Sequence, residues 1–297
     1  MTVFSQHWWL DAVAESWDVA LAKKGDLVTG AWPYPIEKKA GVALLRTPIL
    51  TPYLGPQIFY PQDLKESNRD NFEHETVADL MKGLPPAKVW QLALQPGIKQ
   101  AGIFKSYNLN TAVQQTFLLD LNNTEETLLA NMKENTRRNL RALASDISIS
   151  NAPDLLGELF RFHHHTLASK KKTLPYSLPD LQRIMDAALA NNACALWVAK
   201  SGVATEAMVW HMWDNNCGYY FMGGQNPAAG GYKAMSLLLW HAISHSKKLG
   251  HKTFDFEGSM DEGVERFFRS FGGKRALYMV LQKNDSLLWK IKQMVAG

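Results

Sequence analysis

The residues best equipped for chemistry gather after residue 130. In residues 252–257, Phe254 and Phe256 alternate with Asp255 and Glu257. The twofold period of a strand sends the rings to one side and the carboxylates to the other. Either carboxylate can accept a proton from an incoming nucleophile or orient it, and Glu257 can equally help cap the helix that follows. Lys133, Arg137 and Arg141 recur at i, i+4 and i+8, which lays three cations in one helical stripe, suited to phosphate or carboxylate groups or to solvent. Glu134, four residues before Arg138, neutralises that arginine and leaves the stripe unpaired within its own helix.

His163, His164 and His165 are consecutive, so on a helix they project about 100° apart and do not converge on one ion as i, i+4 pairs do. No metal is expected. His163 continues the apolar side set by Leu155, Leu156, Leu159 and Phe160 and can line a cleft. His211, inside an apolar strand, is a candidate base, and for both histidines a satisfied place in the core is the alternative. Tyr232 and Lys233 open a long helix just after a glycine-flanked loop, 223–231. There a phenol could protonate a leaving group and an ammonium could hold an anion, although tyrosine packing over a helix start is equally ordinary. Trp210, Trp213, Tyr219, Tyr220 and Phe221 read as core rather than as a stacking platform for bases. No GxSxG, HExxH, P-loop or dinucleotide fingerprint occurs.

Positioning these groups requires a scaffold of some size. A chain of 297 residues, 46% hydrophobic, suits two domains of about 100 to 200 residues each. A net charge of +4 permits an anionic substrate without demanding nucleic acid. Cys194 and Cys217 lie in apolar runs without CxxC spacing, which fits buried thiols in a reducing compartment. Residues 1–10 carry no basic segment followed by an apolar run, and no window approaches a membrane span; the expectation is a soluble cytoplasmic protein.

The first third reads as a helix near 6–16, short strands at 18–22, 28–34 and 42–46, and an extended connection over 47–61 with four prolines. A helix at 71–82, a strand at 89–94 and a short helix near 98–105 follow. The second part repeats this plan at greater length. A strand at 115–121 leads to a helix from Asn123, boxed by Glu126, to about Ala144, with Leu129, Met132, Thr136, Leu140 and Leu143 as its inner stripe. Helices at 154–168 and 178–191 precede strands at 193–200, 203–213 and 217–224. The helix 231–249 stops at Gly250, the carboxylate strand 252–257 comes next, and Ser259 with Glu262 boxes a helix that ends at Gly272. A strand at 275–282 and a helix at 287–295 close the chain.

This order resembles the GNAT acyltransferase fold, and the whole chain resembles the FemAB-like peptidyltransferase group, in which two such folds are fused. The residues carrying the resemblance are Tyr219-Tyr220-Phe221-Met222-Gly223-Gly224, Gly231-Tyr232-Lys233-Ala234-Met235, Phe254-Asp255-Phe256-Glu257-Gly258 and the run from Gly263 to Gly273. Thr136-Arg137-Arg138-Asn139-Leu140-Arg141-Ala142 looks like the basic helix of the group, and Tyr53-Leu54-Gly55-Pro56 extends the likeness into the first third. The resemblance implies a mixed α/β chain of two tandem GNAT-like domains, 1–114 and 115–297, each a mostly antiparallel sheet flanked by helices, with the acyl-transfer cleft in the second. It implies Asp255, Glu257, Tyr232 and His211 as catalytic candidates, and Arg137, Arg141, Lys233 and His163 as substrate-binding ones.

In GNAT enzymes a Gln or Arg followed by a glycine-rich run wraps the cofactor pyrophosphate with backbone N–H groups. The matching run here is Gln225 to Gly231, which makes Gln225, Ala229, Gly230 and Gly231 the cofactor-binding candidates. Ala228 stands in place of the first glycine and Pro227 withholds a donor. That departure suits the FemAB-like group, whose members take an aminoacyl group from a charged tRNA. The implied co-substrate is therefore acyl-CoA or aminoacyl-tRNA, with no tightly bound cofactor, and the implied acceptor is an amine-bearing small molecule, peptide or cell-wall precursor. A non-catalytic binding protein that retains the fold is the alternative.

Overall fold

The computed structural model describes residues 1–39, 41–142, 147–171, 173–229, 233–258 and 260–286. The chain divides into two compact units, one of Val3–Gln114 with the chain from Leu277, the other of Gln115–Ala276. The sequence reading assigned everything from 115 to 297 to the second domain. From Leu277 the last strand instead belongs to the first unit, where one of its two neighbouring strands lies. The helix expected at 287–295 lies outside the described residues.

The first unit begins with α1 (His7–Val13), followed by β1 (Trp17–Lys24), β2 (Leu27–Pro35), β3 (Glu37–Lys39), β4 (Val42–Arg46) and β5 (Gln57–Ile58). Then come α2 (Glu66–Gly83), β6 (Val89–Ala93) and α3 (Ala101–Ser106). β1, β2 and β5 form an antiparallel sheet. β4 runs antiparallel to β3 and parallel to β6. Helix α2 turns Phe72, Thr76, Val77, Leu80 and Met81 inward, at the spacing of one helical face. Val77, Leu80 and Met81 of this face meet Trp32, Leu45, Leu92 and Phe104 in a buried cluster.

The chain enters the second unit through β7 (Asn110–Asp120) and continues with α4 (Glu125–Asn131), α5 (Glu134–Ala142), β8 (Ser148–Asn151), α6 (Leu156–Ser169) and α7 (Leu178–Ala190). Next are β9 (Cys194–Ser201), β10 (Ala204–Trp213), β11 (Cys217–Gln225), α8 (Lys233–Lys248), β12 (Thr253–Asp255) and α9 (Glu262–Arg269). β13 (Lys274–Asn284) returns to the first unit and pairs antiparallel with β6. In the second unit, β8, β9, β10 and β11 are antiparallel neighbours, β11 and β12 are parallel, and β12 is antiparallel to β7. Each parallel pair is thus completed by an antiparallel strand on the far side of its second member.

The single helix expected from Asn123 to Ala144 is two helices. α4 is capped by Thr124, whose Oγ1 accepts from Thr127 N–H, and it stops at Met132, which is extended at φ −71°, ψ 152°. Arg137 Nη1 donates to Ala130 O at 2.8 Å, satisfying a carbonyl that the break leaves open. Leu143 and Ala144 lie outside the described residues. The core of the unit joins Leu238, Leu239, Ala242 and Ile243 of α8 to Phe117, Phe254, Phe256 and Phe271, each full burial contributing about 1.5–3 kcal/mol. Cys194 is buried and Cys217 half-buried, and both are free thiols. Among the described residues no helix is long and apolar enough to cross a membrane.

Candidate active site

Strands β11 and β12 pair only from Cys217↔Thr253 to Tyr219↔Asp255. Beyond that point β11 runs on to Gln225, while the other chain leaves the sheet. Phe256 N–H bonds to Phe117 O, and Glu257 and Gly258 both take left-handed backbone, φ +55° and +65°. Gly258 is required there, since a Cβ would lie 2.1 Å from Gln115 O. β11 is bent as well. Trp210 faces Met222 and His211 faces Tyr220, so Phe221 is the extra residue of a β-bulge, a device that bends a strand and re-aims its side chains.

The parting strands enclose a cavity of about 620 Å³, walled by Tyr220–Gln225, Phe256–Gly258, His163, Thr166, Leu167 and Lys170 of α6, Met235 of α8, and Asp261, Gly263, Val264, Phe267 and Phe268 at α9. Glu257 is its most unusual group. Its Oε1 is shielded from solvent, and among the described residues it has no hydrogen-bond partner. Burial first, and then the neighbouring Asp255 charge, push its carboxyl well above the usual carboxylate range. A non-glycine residue in left-handed backbone costs about 1–2 kcal/mol, and such strain collects at functional sites.

Asp255 lies just below, 3% exposed. Its Oδ1 accepts from Thr116 Oγ1 at 2.5 Å and from Glu257 N–H at 2.8 Å, so it holds the strained turn in place. On the α6 side, His163 Nδ1 lies 3.0 Å from Gly223 O, and burial lowers its pKa. Lys170 Nζ bonds to Asp261 Oδ2 at 2.8 Å, while Asp261 Oδ1 caps α9 through Gly263 and Val264 N–H. The Tyr220 phenol packs against Gly223, where a Cβ would collide with its hydroxyl, and burial followed by the Glu257 charge raises its pKa.

Residues 130–269 match the family described as acetyltransferase (GNAT) domain. No curated protein sequence matches the chain. Among solved structures it is similar to FemX, at TM-score 0.67 and 10% identity over 99% of this chain and 94% of that one. It is also similar to the C-terminal domain of a putative lysylphosphatidylglycerol synthetase from Agrobacterium fabrum, at TM-score 0.56 and 13% identity over 90% and 84%. A tandem GNAT protein from the clavulanic acid biosynthesis pathway matches at TM-score 0.53 and 9% identity over 91% and 83%. Residues 130–269 thus carry a GNAT domain, and the fold of the chain is like that of FemX and of the tandem GNAT protein.

On this GNAT scaffold the sequence-derived candidates separate. Glu257, His163 and Gln225 line the cavity. Asp255 supports it from beneath, so the two carboxylates do not share one strand face: β12 ends at Asp255 and the left-handed turn re-aims Glu257. His211 is fully buried away from the cavity wall, with Nε2 2.8 Å from Ser246 Oγ and Nδ1 accepting from Trp197 Nε1 at 3.4 Å. It is a core histidine. Arg137 bonds to Glu134 through Nε at 3.0 Å and Nη2 at 2.5 Å besides holding Ala130 O. Arg141 projects into solvent, 4.0 Å from the same glutamate. Both arginines of the stripe are therefore paired with Glu134 of their own helix, and neither lines the cavity. Lys233 is exposed at the start of α8. Tyr232, Gly230 and Gly231 lie outside the described residues, as does Ser259; the cap of α9 is Asp261.

The run matched to the pyrophosphate loop closes on itself. Ala228 N–H donates to Asn226 Oδ1 and Ala229 N–H to Asn226 O, while Asn226 Nδ2 anchors the turn to Thr205 O. Those two donors are engaged inside the turn. Sequence reasoning missed Tyr220, set aside as core, and the Lys170–Asp261 pair, whose partners stand 91 residues apart with no local pattern linking them. Among the described residues no His, Cys, Asp and Glu group could hold a metal ion.

Proposed function

We propose that the second unit is an N-acyltransferase that moves an acyl or aminoacyl group from an activated donor to an amine. The observation that supports this most directly is Glu257, a half-buried residue in left-handed backbone on the wall of the cavity, whose Oε1 is shielded from solvent and has no hydrogen-bond partner among the described residues. The amine nitrogen attacks the acyl carbonyl carbon, the C–N bond forms, and the bond to the leaving group breaks with its electron pair. Glu257 in its carboxylate form takes the proton that the nitrogen sheds. Its raised pKa makes it a stronger base than an ordinary carboxylate and so better matched to that proton. Asp255 acts through Glu257 as a positioning residue, and alignment in the cavity supplies the remaining advantage.

The self-bonded turn at Asn226–Ala229 favours a donor gripped elsewhere than at this loop, such as an aminoacyl-tRNA, over acyl-CoA. The FemAB-like form favours a cell-wall precursor or another amine-bearing peptide as acceptor. The experiment is to incubate the protein with acetyl-CoA or charged tRNA and a panel of amines, following donor loss and amide formation. Transfer is expected with at least one donor, reduced by about 10²–10⁴-fold in Glu257→Gln. Equal rates in the two proteins would refute the role of Glu257. Tight ligand binding with every donor inert would favour a binding protein on the same fold.

A further inference from the structure

The cavity wall also constrains what kind of acyl group it takes. Met222, Met235, Phe256, Val264, Phe267 and Phe268 make much of it apolar. Its charged side chains are already engaged: Lys170 and Asp261 satisfy each other at 2.8 Å, and Glu257 is the group the reaction uses. An ammonium or carboxylate at the end of an acyl chain would be desolvated there without a free counter-charge. Size argues in the same direction. A space of about 620 Å³ lies in the ~300–1,000 Å³ range that encloses a drug-sized ligand, and an acetyl group would leave most of the aromatic wall against water.

We infer that the cavity selects an acyl or aminoacyl group whose side chain is uncharged, apolar and considerably larger than acetyl, lodged between the parted ends of β11 and β12 against α9. This rests on the acyl-transfer reading of the same site and names the substrate class that reading leaves open. It also assigns Val264, on the α9 side of the cavity, a part in setting chain length.

The test measures binding of uncharged N-acyl glycinamides, which resemble the product and need no turnover. Acetyl, butanoyl and hexanoyl glycinamide are titrated calorimetrically into the full chain, beside 6-aminohexanoyl and adipoyl glycinamide. Affinity should rise about fourfold for each added methylene, and either charged end should weaken hexanoyl binding by about a hundredfold or more. Val264→Trp, checked for an unchanged unfolding transition, should remove the gain in affinity beyond butanoyl. Val264→Leu serves as the milder variant should tryptophan disturb folding. A flat series, no measurable binding, or tighter binding of a charged ligand would overturn the inference. Because turnover is not involved, a chain-length series without transfer by any donor would sink the transferase reading alone, and transfer without the series would sink this one alone.

Discussion

Replacing Glu257 by glutamine isolates the electrostatics of the site in one measurement. The folded state holds the Glu257 proton more tightly than the unfolded chain does, because burial and then Asp255 raise its pKa above the ordinary 4.5. Its contribution is therefore fully present below about pH 4.5 and is lost as pH rises through the folded value. Between those limits the folded state binds one proton more than the unfolded state, so stability falls by up to about 1.4 kcal/mol per pH unit. Glutamine has nearly the same size and cannot ionise, so the stability of wild type minus that of Glu257→Gln should fall with pH at up to this slope.

All other titrating groups are common to both proteins and largely cancel in the difference. Urea unfolding at pH 4.5, 5.5, 6.5 and 7.5 reads it out, followed in the near ultraviolet where Tyr220 and Phe256 both pack on Phe268. With an m-value of about 1–3 kcal/mol/M, each unit of pH in the sensitive window separates the two midpoints by roughly 0.5–1.4 M. Parallel curves would show that Glu257 is not shifted. A wild type that gains on the variant as pH rises would show an ion-paired carboxylate, and both results refute the reasoning.

Three further outcomes follow from the packing. His211, His241, His245 and His251 all have pKa values lowered chiefly by burial, so the stability they contribute is present above the ordinary 6.5 and lost as pH falls through their folded values. Glu257→Gln should therefore lose urea resistance from about pH 6.5 down to 5, and a constant midpoint would contradict the buried cluster. Arg137→Ala should lower stability by about 0.5–1.5 kcal/mol through the Ala130 carbonyl it leaves uncapped without changing ligand affinity; weakened binding at unchanged stability would return Arg137 to the substrate. Gly258→Ala should destabilise by about 2 kcal/mol or more through its left-handed φ and the contact with Gln115 O, and a neutral effect in thermal unfolding would mean that the turn can move.

The strand–helix–strand–helix order around the site was legible because hydrophobic period and glycine stops are local signals, clear from Tyr219 to Gly272. The broken helix was not, since Met132 and Lys133 carry no proline or glycine and the break is held by Arg137 reaching back to Ala130. The arginine stripe was misread because i, i+3 and i, i+4 partners compete for Glu134: Arg138 stands at the expected spacing, but Arg137 wins through its additional backbone bond and Arg138 turns to Asn135. Glu257 was found by type and placed by the wrong geometry, as left-handed backbone at a glutamate has no sequence signature. The return of β13 to β6 was equally silent, because a strand's own pattern does not name its partner.

The two units share a strand, a helix, a parallel strand and a helix, as β4–α2–β6–α3, where the short β5 intervenes after β4, and as β11–α8–β12–α9. They differ in what occupies the gap beyond the parallel pairing. In the first unit pairing ends at Arg46↔Gln91, and the chain's own proline-rich segment follows β6 from there. Leu54 N–H bonds to Ala93 O, Thr47 Oγ1 accepts from Ala93 N–H, and Gly55 presses so closely on Gln95 and Leu94 that a Cβ would not fit. Tyr53 and Leu54 are fully buried by this arrangement. In the second unit the residues after β11 fold into the self-bonded turn at Asn226–Ala229, and the corresponding space stays open as the cavity beside Glu257. The segment along β6 engages Ala93 and displaces the first unit's own cavity, of about 490 Å³, to the space between Pro56–Tyr60, α2 and Gln95–Lys99, whereas a strand that ends at Asp255 and turns away leaves room beside an acid whose Oε1 has no hydrogen-bond partner among the described residues. The same topology thus covers the edge beside β6 in the first unit and leaves the corresponding space open beside Glu257 in the second, and the difference lies in where the loop residues direct their hydrogen bonds.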